Sequence, residues 1–367
     1  MILLKKIAKT ILIIIFVIVV IAVLFMKLWQ PFGQGINDND KKLYSEKTEL
    51  FYDGTFHGNP EISVMNESKS EFSDHEQTVP KDKIPIHQLD SIPNTSDDDL
   101  KWVWFGHSSS MLQMQGLNIL IDPAFSEYAS PMQGFGAKRF SDLPISKENL
   151  PVIDVLVISH DHYDHLDYGT IKDIDDKVKS YCVPLGVEKH LIRFGVDENK
   201  IHSMAWWDEV KIGGLTITST PGRHYTGRLP WQTNTTLWSG YVFQNEKYKA
   251  YYTGDTGYGE HFKEIYEKFG AMDFVILEDG QYDKSWEAIH LLPEQGIQAM
   301  KDLQAKWIVP VHWGTFSLSY HAWDDPIRQM TALAQKENMN VATPRIGEIV
   351  DYDNIQQFQE KWWEDIE

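Results

Sequence analysis

Residues 160–165 of this chain read His160-Asp161-His162-Tyr163-Asp164-His165, three imidazoles and two carboxylates in one short stretch. Imidazole nitrogen and carboxylate oxygen are the donors that suit zinc and related divalent ions. His160 and His162 are separated by one residue, so in an extended loop they face the same way. Asp164 and His165 come after Tyr163 and reach toward a second ion from the start of the following turn. A solvated polar turn with one histidine is ordinary; this density of donors points to metal.

The preceding run, residues 155–159, is short, apolar and β-branched, as suits a buried strand. The donors therefore leave the chain where a strand leaves its sheet. The same arrangement recurs downstream. His224 follows a strand candidate within 211–220, Asp255 follows one at 248–253, and His312 directly follows Trp307–Val311. Loops at one edge of a rigid sheet are where sites are built. One four-coordinate zinc with an open position needs only three protein ligands. The seven donors His160, His162, Asp164, His165, His224, Asp255 and His312 suit two ions bridged by a carboxylate. Two such ions, about 3.5–4 Å apart, hold a hydroxide between them and polarise a carbonyl or phosphoryl oxygen. A non-haem iron oxygenase would use two histidines and one carboxylate, fewer than are present.

The positioning elements alternate. Strands are expected at 102–105, 111–114 and 117–121, the last two forming a hairpin around Gln115-Gly116. A Gly/Pro/Ser-rich loop at 126–144 reads as a lid or rim. A short helix at 168–177, a strand at 181–183 and a helix at Val187–Phe194 follow. Two strands hinge at Gly213-Gly214, a hairpin turns at Asn245-Glu246, and residues 274–277 form a buried strand. Residues 293–303 are helical, with Pro293 in the first turn.

The chain has 367 residues, enough for one large domain plus extra segments. Hydrophobic content of 42% supports a sizeable core. The net charge of −19 disfavours a nucleic-acid partner. Cys182 is the single cysteine, so no internal disulfide forms. Residues 10–26 carry no charge and, at about 1.5 Å each, nearly match a hydrocarbon core of about 30 Å. Lys5, Lys6 and Lys9 precede this run, and Lys27 and Trp29 sit at its far end, where snorkelling and ring placement suit an interface. The reading is a single-pass anchor with a cytoplasmic amino terminus and an extracytoplasmic body. A cleaved signal peptide is the alternative, but residues 25–30 are bulky and offer no small-x-small site. Residues 33–98 are acidic and poor in apolar periodicity, a solvated spacer or loosely packed arm. The aromatics of 51–56 are the exception and are expected to dock on the body. The expected division is anchor 1–30, acidic arm 31–98, catalytic domain 99–350 and an acidic, aromatic tail 351–367.

His160-x-His162-x-Asp164-His165 resembles the HxHxDH signature of the metallo-β-lactamase superfamily, and His224, Asp255 and His312 appear in that family's order. Gly254-Asp255-Thr256-Gly257-Tyr258 and Val311-His312-Trp313-Gly314-Thr315-Phe316 look like the branch of N-acylphosphatidylethanolamine-hydrolysing phospholipase D and its bacterial relatives. Gly106-His107-Ser108-Ser109, Leu120-Ile121-Asp122-Pro123 and Ile289-His290-Leu291-Leu292-Pro293-Glu294 are similar to it too. The likeness runs from about Trp102 to about Gly347. It implies an α/β fold, a four-layer αβ/βα sandwich with the site at one edge of the two sheets. It further implies one Zn2+ on His160, His162 and His224, a second on Asp164, His165 and His312, and Asp255 bridging them.

Asp164, Asp255 and His290 are the expected catalytic residues. His290 matches the branch's extra histidine, placed to orient the scissile group or assist the leaving oxygen; capping the helix at Pro293 is its structural alternative. Arg228 is a candidate to hold an anionic substrate group, or is solvated. His107 is either a hydrogen bond in the site floor or catalytic. No ligand role carries over to Asp161. The expected function is a membrane-tethered zinc hydrolase in which a hydroxide held by two ions attacks a phosphodiester of N-acylphosphatidylethanolamine type and the alcohol leaves. A lactonase or carboxylic ester hydrolase is the second reading. An envelope binding protein with incidental catalysis is the third, and the intact donor set counts against it.

Overall fold

Side chains of a strand alternate between faces, and residues 102–105 use both. Trp102 and Trp104 pack into one core, Val103 and Phe105 into another. A strand buried on both faces must separate two layers of apolar side chains. In the computed structural model, which describes residues 2–58, 60–61, 63–66, 68–70 and 77–367, that strand lies within a seven-stranded sheet.

The strands of the two main sheets are β1 (Leu100–Trp104), β2 (Ser110–Met114), β3 (Leu117–Ile121), β4 (Val155–Val157), β5 (Tyr181–Pro184), β6 (Ile201–Met204) and β7 (Glu209–Ile212). They continue with β8 (Leu215–Thr220), β9 (Gly240–Gln244), β10 (Lys249–Tyr252), β11 (Phe274–Glu278), β12 (Trp307–Val311) and β13 (Ile349–Asp351). The first sheet runs β6-β5-β4-β3-β2-β1-β13, the second β7-β8-β9-β10-β11-β12. Neighbours from β3 to β6 pair in parallel, as do β10, β11 and β12; the remaining neighbours are antiparallel.

The helices are α1 (Ile2–Leu28), α2 (Asp38–Lys47), α3 (Tyr168–Ile174), α4 (Val187–Phe194), α5 (His261–Phe269), α6 (Pro293–Asp302) and α7 (Asp325–Lys336). Ile171, Val187 and Leu191 cover the outer face of the first sheet against Val103, Leu120 and Leu156. Phe262, Ile297, Met300 and Met330 cover the second against Val242, Val275 and Ile308. Between the sheets, Trp102, Ile119 and Val155 share a core with Ile217, Phe243, Ile276 and Val309. Helices, sheet, sheet and helices make the four-layer sandwich that the resemblance implied. β4 is shorter than its apolar run, because Ile158 and Ser159 already turn toward the site.

Helices α5 and α7 and strand β6 were not foreseen. The loop 126–144 carries a small hairpin, Tyr128–Ala129 paired with Ala137–Lys138. Residues 351–367 are not a free tail. Asp351 pairs with Lys101 at the edge of the first sheet, and Trp362 stacks on Trp313 with ring centroids 5.4 Å apart. Trp362 and Trp363 are buried in the inter-sheet core, since two indoles gain from burial while the flanking Glu364 and Asp365 stay in solvent. In the arm, Asn37 caps α2, and Tyr44, Phe51 and Phe56 pack with Leu185, Leu237 and Trp238.

Helix α1 is long and apolar enough over Lys5–Leu28 to cross a membrane, and none of that window is buried against the body. Its far end is tied down. Trp29 Nε1 donates to the Pro131 carbonyl at 3.1 Å, and Arg193 Nη2 donates to the Lys27 carbonyl at 2.7 Å.

Candidate metal centre

Four strand ends converge. His160 to His165 leave β4, His224 follows β8, Asp255 follows β10 and His312 follows β12. Two close backbone approaches bring the loops together. A Cβ on Gly257 would lie 2.1 Å from the Ala288 carbonyl oxygen, and one on Gly280 2.2 Å from that of His312. Only glycine lets those segments pass. His312 itself is held at φ +71, a costly conformation for a non-glycine residue and one characteristic of functional sites.

The seven donors meet at one point. His162 Nδ1 lies 2.9 Å from His160 Nε2 and 3.2 Å from His224 Nε2. His165 Nε2 lies 3.4 Å from Asp164 Oδ2 and 3.2 Å from Asp255 Oδ2. Asp255 Oδ2 is also 3.8 Å from His160 Nε2 and 3.9 Å from His224 Nε2, while Asp255 Oδ1 is 3.4 Å from His312 Nδ1. Asp255 thus stands between a three-histidine group and a group of Asp164, His165 and His312.

The donor set fits divalent ions on grounds internal to the fold. His165 Nε2 and Asp255 Oδ1 are buried at the centre without a hydrogen-bond partner, an expensive condition unless something else satisfies them. Burial, and next its neighbouring imidazoles, hold His160 well below the usual imidazole range; burial likewise dominates for His224 and His312. Neutral imidazole is the form that ligates. Burial works against the charge of Asp164 and Asp255, but the surrounding imidazoles, His165 above all, hold both carboxyls well below their usual range. Burial lowers His165 too, yet Asp255, Asp164 and Asp122 more than reverse it and hold it well above the usual imidazole value. The carboxylates therefore create a demand for positive charge where Nε2 has no partner.

Outer contacts fix the rings. Asp122, fully buried at φ +39, accepts from His165 Nδ1 (2.7 Å), Ser159 N (2.7 Å), Ser159 Oγ (2.5 Å) and Tyr252 OH (2.6 Å). Ser159 Oγ is 2.9 Å from His160 Nδ1, and His224 Nδ1 donates to the Ile289 carbonyl at 3.1 Å. With Nδ1 engaged, the Nε2 atoms of His160, His165 and His224 face the centre, the usual way a fold sets imidazole ligands. His107 Nε2 is 2.9 Å from Asp164 Oδ2 and fully buried, so its place is in the site floor. Asp161 accepts from Gly227 N at 2.8 Å and pairs with His190 at 3.2 Å, away from the donors.

His290 lines the cavity and donates from Nδ1 to Glu278 Oε1 at 2.7 Å. Glu278 Oε2 accepts from Leu291 N at 3.1 Å. Burial lowers His290, but its bond to Glu278 outweighs that and raises it; burial pushes Glu278 up to about 7. Glu278 was not singled out from sequence, and Asp122 only within the strand end at 120–123, with no role given to it. A carboxyl closing an otherwise apolar strand was the available signal for Glu278; for Asp122, it was the Asp-Pro ending of β3.

The expectation for Arg228 is corrected. Its Nη1 donates to the carbonyls of Asp161 (2.7 Å) and Leu166 (2.8 Å), and its Nη2 and Nε to that of Pro31 (2.7 and 3.2 Å). The guanidinium lies 4.1 Å over the Tyr163 ring and is buried. Backbone carbonyls take up its donors, so it ties the motif loop to the segment after α1 rather than holding substrate. Above the donors is a cavity of about 370 Å³ walled by Met65, Tyr225, Trp286, Ile289 and Leu318.

A family model described as "Beta-lactamase superfamily domain" matches residues 117–313. An uncharacterized protein of Mycobacterium tuberculosis is 33% identical over 348 residues, covering 91% of this chain and 92% of that protein. N-acyl-phosphatidylethanolamine-hydrolyzing phospholipase D 1 of Caenorhabditis elegans is 29% identical over 304 residues, covering 78% of this chain and 85% of that one. Among solved structures, isothiocyanate hydrolase from Delia radicum gut bacteria superposes with a TM-score of 0.54 at 22% identity, covering 68% of this chain and 98% of that one. That likeness bears on the fold.

Proposed function

The chain belongs to the beta-lactamase superfamily of metallo-hydrolases, and from that premise we propose that it is a membrane-tethered phosphodiesterase using two zinc ions, acting on a glycerophospholipid. The observation that carries this reading is the position of Asp255, whose Oδ2 lies within 4 Å of His160, His165 and His224 together. His160, His162 and His224 would hold one ion, Asp164, His165 and His312 the other, and Asp255 both. When bound, such ions supply a water acidified toward neutrality and positive charge for the oxygens of a phosphoryl group.

The chain's own residues account for the rest. Trp286, Ile289, Leu318, Tyr225 and Met65 form a wall suited to an apolar substituent next to the reacting group. Glu278 holds the Nδ1 side of His290, which leaves Nε2 to carry a proton toward the cavity. From there His290 gives that proton to the departing alcohol oxygen. Support for a phosphodiester substrate comes from the C. elegans relative's named activity and this apolar wall. Helix α1 is read as a retained span, with Lys5, Lys6 and Lys9 on the cytoplasmic side and the body outside. The test is turnover by the purified chain, with and without restored zinc, of an N-acylphosphatidylethanolamine, a simple phosphodiester and a lactone panel. Turnover of lactones alone rejects the phosphodiesterase reading. Protease added to intact cells should remove the body; full protection places it in the cytoplasm.

A further inference from the structure

The carboxyl end of α1 sits against the rim of the cavity. Trp29 Nε1 donates to Pro131 O at 3.1 Å, and Pro131 lies in the turn of the hairpin whose first strand supplies Ala129 to the cavity lining. A second connection runs through two stacked side chains. Tyr163 lines the cavity, its ring lies under the Arg228 guanidinium, and Arg228 donates to Pro31 O at 2.7 Å. Two parts of the cavity lining, Ala129 and Tyr163, are thus tied to the residues that directly follow the apolar helix.

The surface around that point is apolar and aromatic. Gly134 and Gly136, at φ +94 and +96, flank Phe135 and present it at the hairpin tip, where it is 68% exposed. Met132 precedes it and is also exposed. On another side of the helix end, Trp231 is 50% exposed and lines a groove with Met26, Lys27 and Arg193. Trp29 is itself exposed. Aromatic rings with lysine and arginine at the end of an apolar span are the composition of a membrane interface. In water the same side chains would expose apolar surface with no return.

We propose that the tip of the Tyr128–Ala129/Ala137–Lys138 hairpin, together with Trp231, seats the cavity mouth on the lipid surface that α1 crosses, so that substrate enters from the bilayer plane. The inference rests on α1 being a membrane span and extends the reading of a lipid substrate. Phe135 and Met132 enter the interfacial zone on one side of the helix and Trp231 on another. A single-pass helix alone would let the body tilt; these contacts with the helix end set its orientation.

The experiment uses the full chain in phosphatidylcholine–phosphatidylglycerol vesicles carrying, in separate preparations, a deep doxyl-lipid quencher to read position 16 and a shallow one to read positions 135 and 336. A fluorophore is attached through Phe135→Cys, through Phe16→Cys in α1, or through Lys336→Cys on α7 in the opposite outer layer. Cys182 is buried and its thiol is pushed up to about 12 by burial, so the introduced thiol is the one that reacts. Strong quenching at positions 16 and 135, and little at 336, is the expected result. Quenching at 16 but not at 135 overturns the docking surface while leaving the span intact. Absence at both overturns span and docking together. Cross-linking between labelled tips of two copies, in place of quenching, assigns the patch to a self-interface and also overturns the proposal. In a second arm, Phe135→Asp is expected to lower turnover of vesicle-borne lipid about tenfold, roughly 1.4 kcal/mol, with bis(p-nitrophenyl) phosphate in solution unaffected. An equal loss on both substrates counts against entry from the bilayer. If the unmodified chain turns over neither substrate, the phosphodiesterase reading fails and the quenching pattern alone decides docking.

Discussion

Glu278 Oε1 accepts the Nδ1 proton of His290 at 2.7 Å, and this part-buried contact lies at the edge of the donor cluster. The nitrogens of His290, the His224 ring and an Asp255 oxygen come within 4.8 Å of one another. The contact fixes the tautomer and aim of the histidine that faces the cavity.

Glu278→Gln keeps an acceptor for Nδ1 but removes the charge that raises His290. An imidazolium stabilised by a carboxylate stays protonated to higher pH, so losing the carboxylate brings deprotonation to lower pH. The alkaline limb of the kcat profile should therefore shift toward acid, with kcat down about 10- to 100-fold and KM little changed. Steady-state kinetics across pH, beside zinc analysis, is the check. Unchanged zinc content with an unshifted limb would show that Glu278 only packs.

Asp122→Asn weakens the support of His165 while preserving volume. Asp122 takes four hydrogen bonds, one of them from His165 Nδ1 at 2.7 Å. Outer partners of this kind are worth about 10- to 100-fold in metal affinity. On the proposed two-ion reading, competition against a chromophoric chelator should show the ion at His165 binding more weakly by that factor.

Much of this site was legible in the sequence because its donors are dense and each follows a strand. The HxHxDH loop, His224, Asp255 and His312 could be assembled from strand ends alone. Asp122, Glu278 and His107 act through other side chains, and their partners are fixed only when β3, β11 and the β1–β2 turn reach one sheet edge. Arg228 misled for a related reason: its distance from His224 in sequence says nothing about the carbonyls of Asp161, Leu166 and Pro31 that fold around it. Among the elements, the apolar run of β1 closed by Gly106 and the β2–β3 hairpin were plain, while α5 was passed over between strand candidates and α7 beyond the last of them. Residues 351–367 looked like a tail because carboxylates outnumber rings there, yet Trp362 and Trp363 decide its packing.

Trp362→Ala tests that last point. The indole is buried, stacks on Trp313 and donates from Nε1 to Thr343 O at 3.1 Å. Truncating such a ring costs about 3–5 kcal/mol. Urea unfolding should give a midpoint lowered accordingly. A loss below about 0.5 kcal/mol, the usual size for surface positions, would make 351–367 a true appendage.

His261 gives a pH dependence with a defined sign. Burial first, and Arg223 next, push it from 6.5 down to about 3. Between those values the unfolded chain binds a proton that the folded chain refuses, so stability falls as pH falls through that window. His261→Gln should flatten the urea midpoint against pH by one proton's worth of slope, about 1.4 kcal/mol per pH unit. Parallel curves for the two proteins would show that His261 is protonated in the fold.

The sharpest prediction concerns how many ions each donor holds. If Asp255 is shared, its loss damages both groups, whereas loss of a donor from one group leaves the other whole. His224→Ala removes one imidazole from the group of His160 and His162 and leaves Asp164, His165, His312 and Asp255 in place, so about one zinc per chain should remain. Asp255→Ala takes away the carboxylate that faces His165 at 3.2 Å and His160 and His224 at 3.8 and 3.9 Å, so the count should drop below one. Asp255→Asn keeps the shape and removes the charge that helps hold His165 well above the usual imidazole range, and should resemble Asp255→Ala in zinc while folding normally by circular dichroism. Metal analysis after gel filtration reads these counts directly. Equal retention in His224→Ala and Asp255→Ala would mean that Asp255 serves one ion, and the two-ion phosphodiesterase reading would lose the observation that carries it.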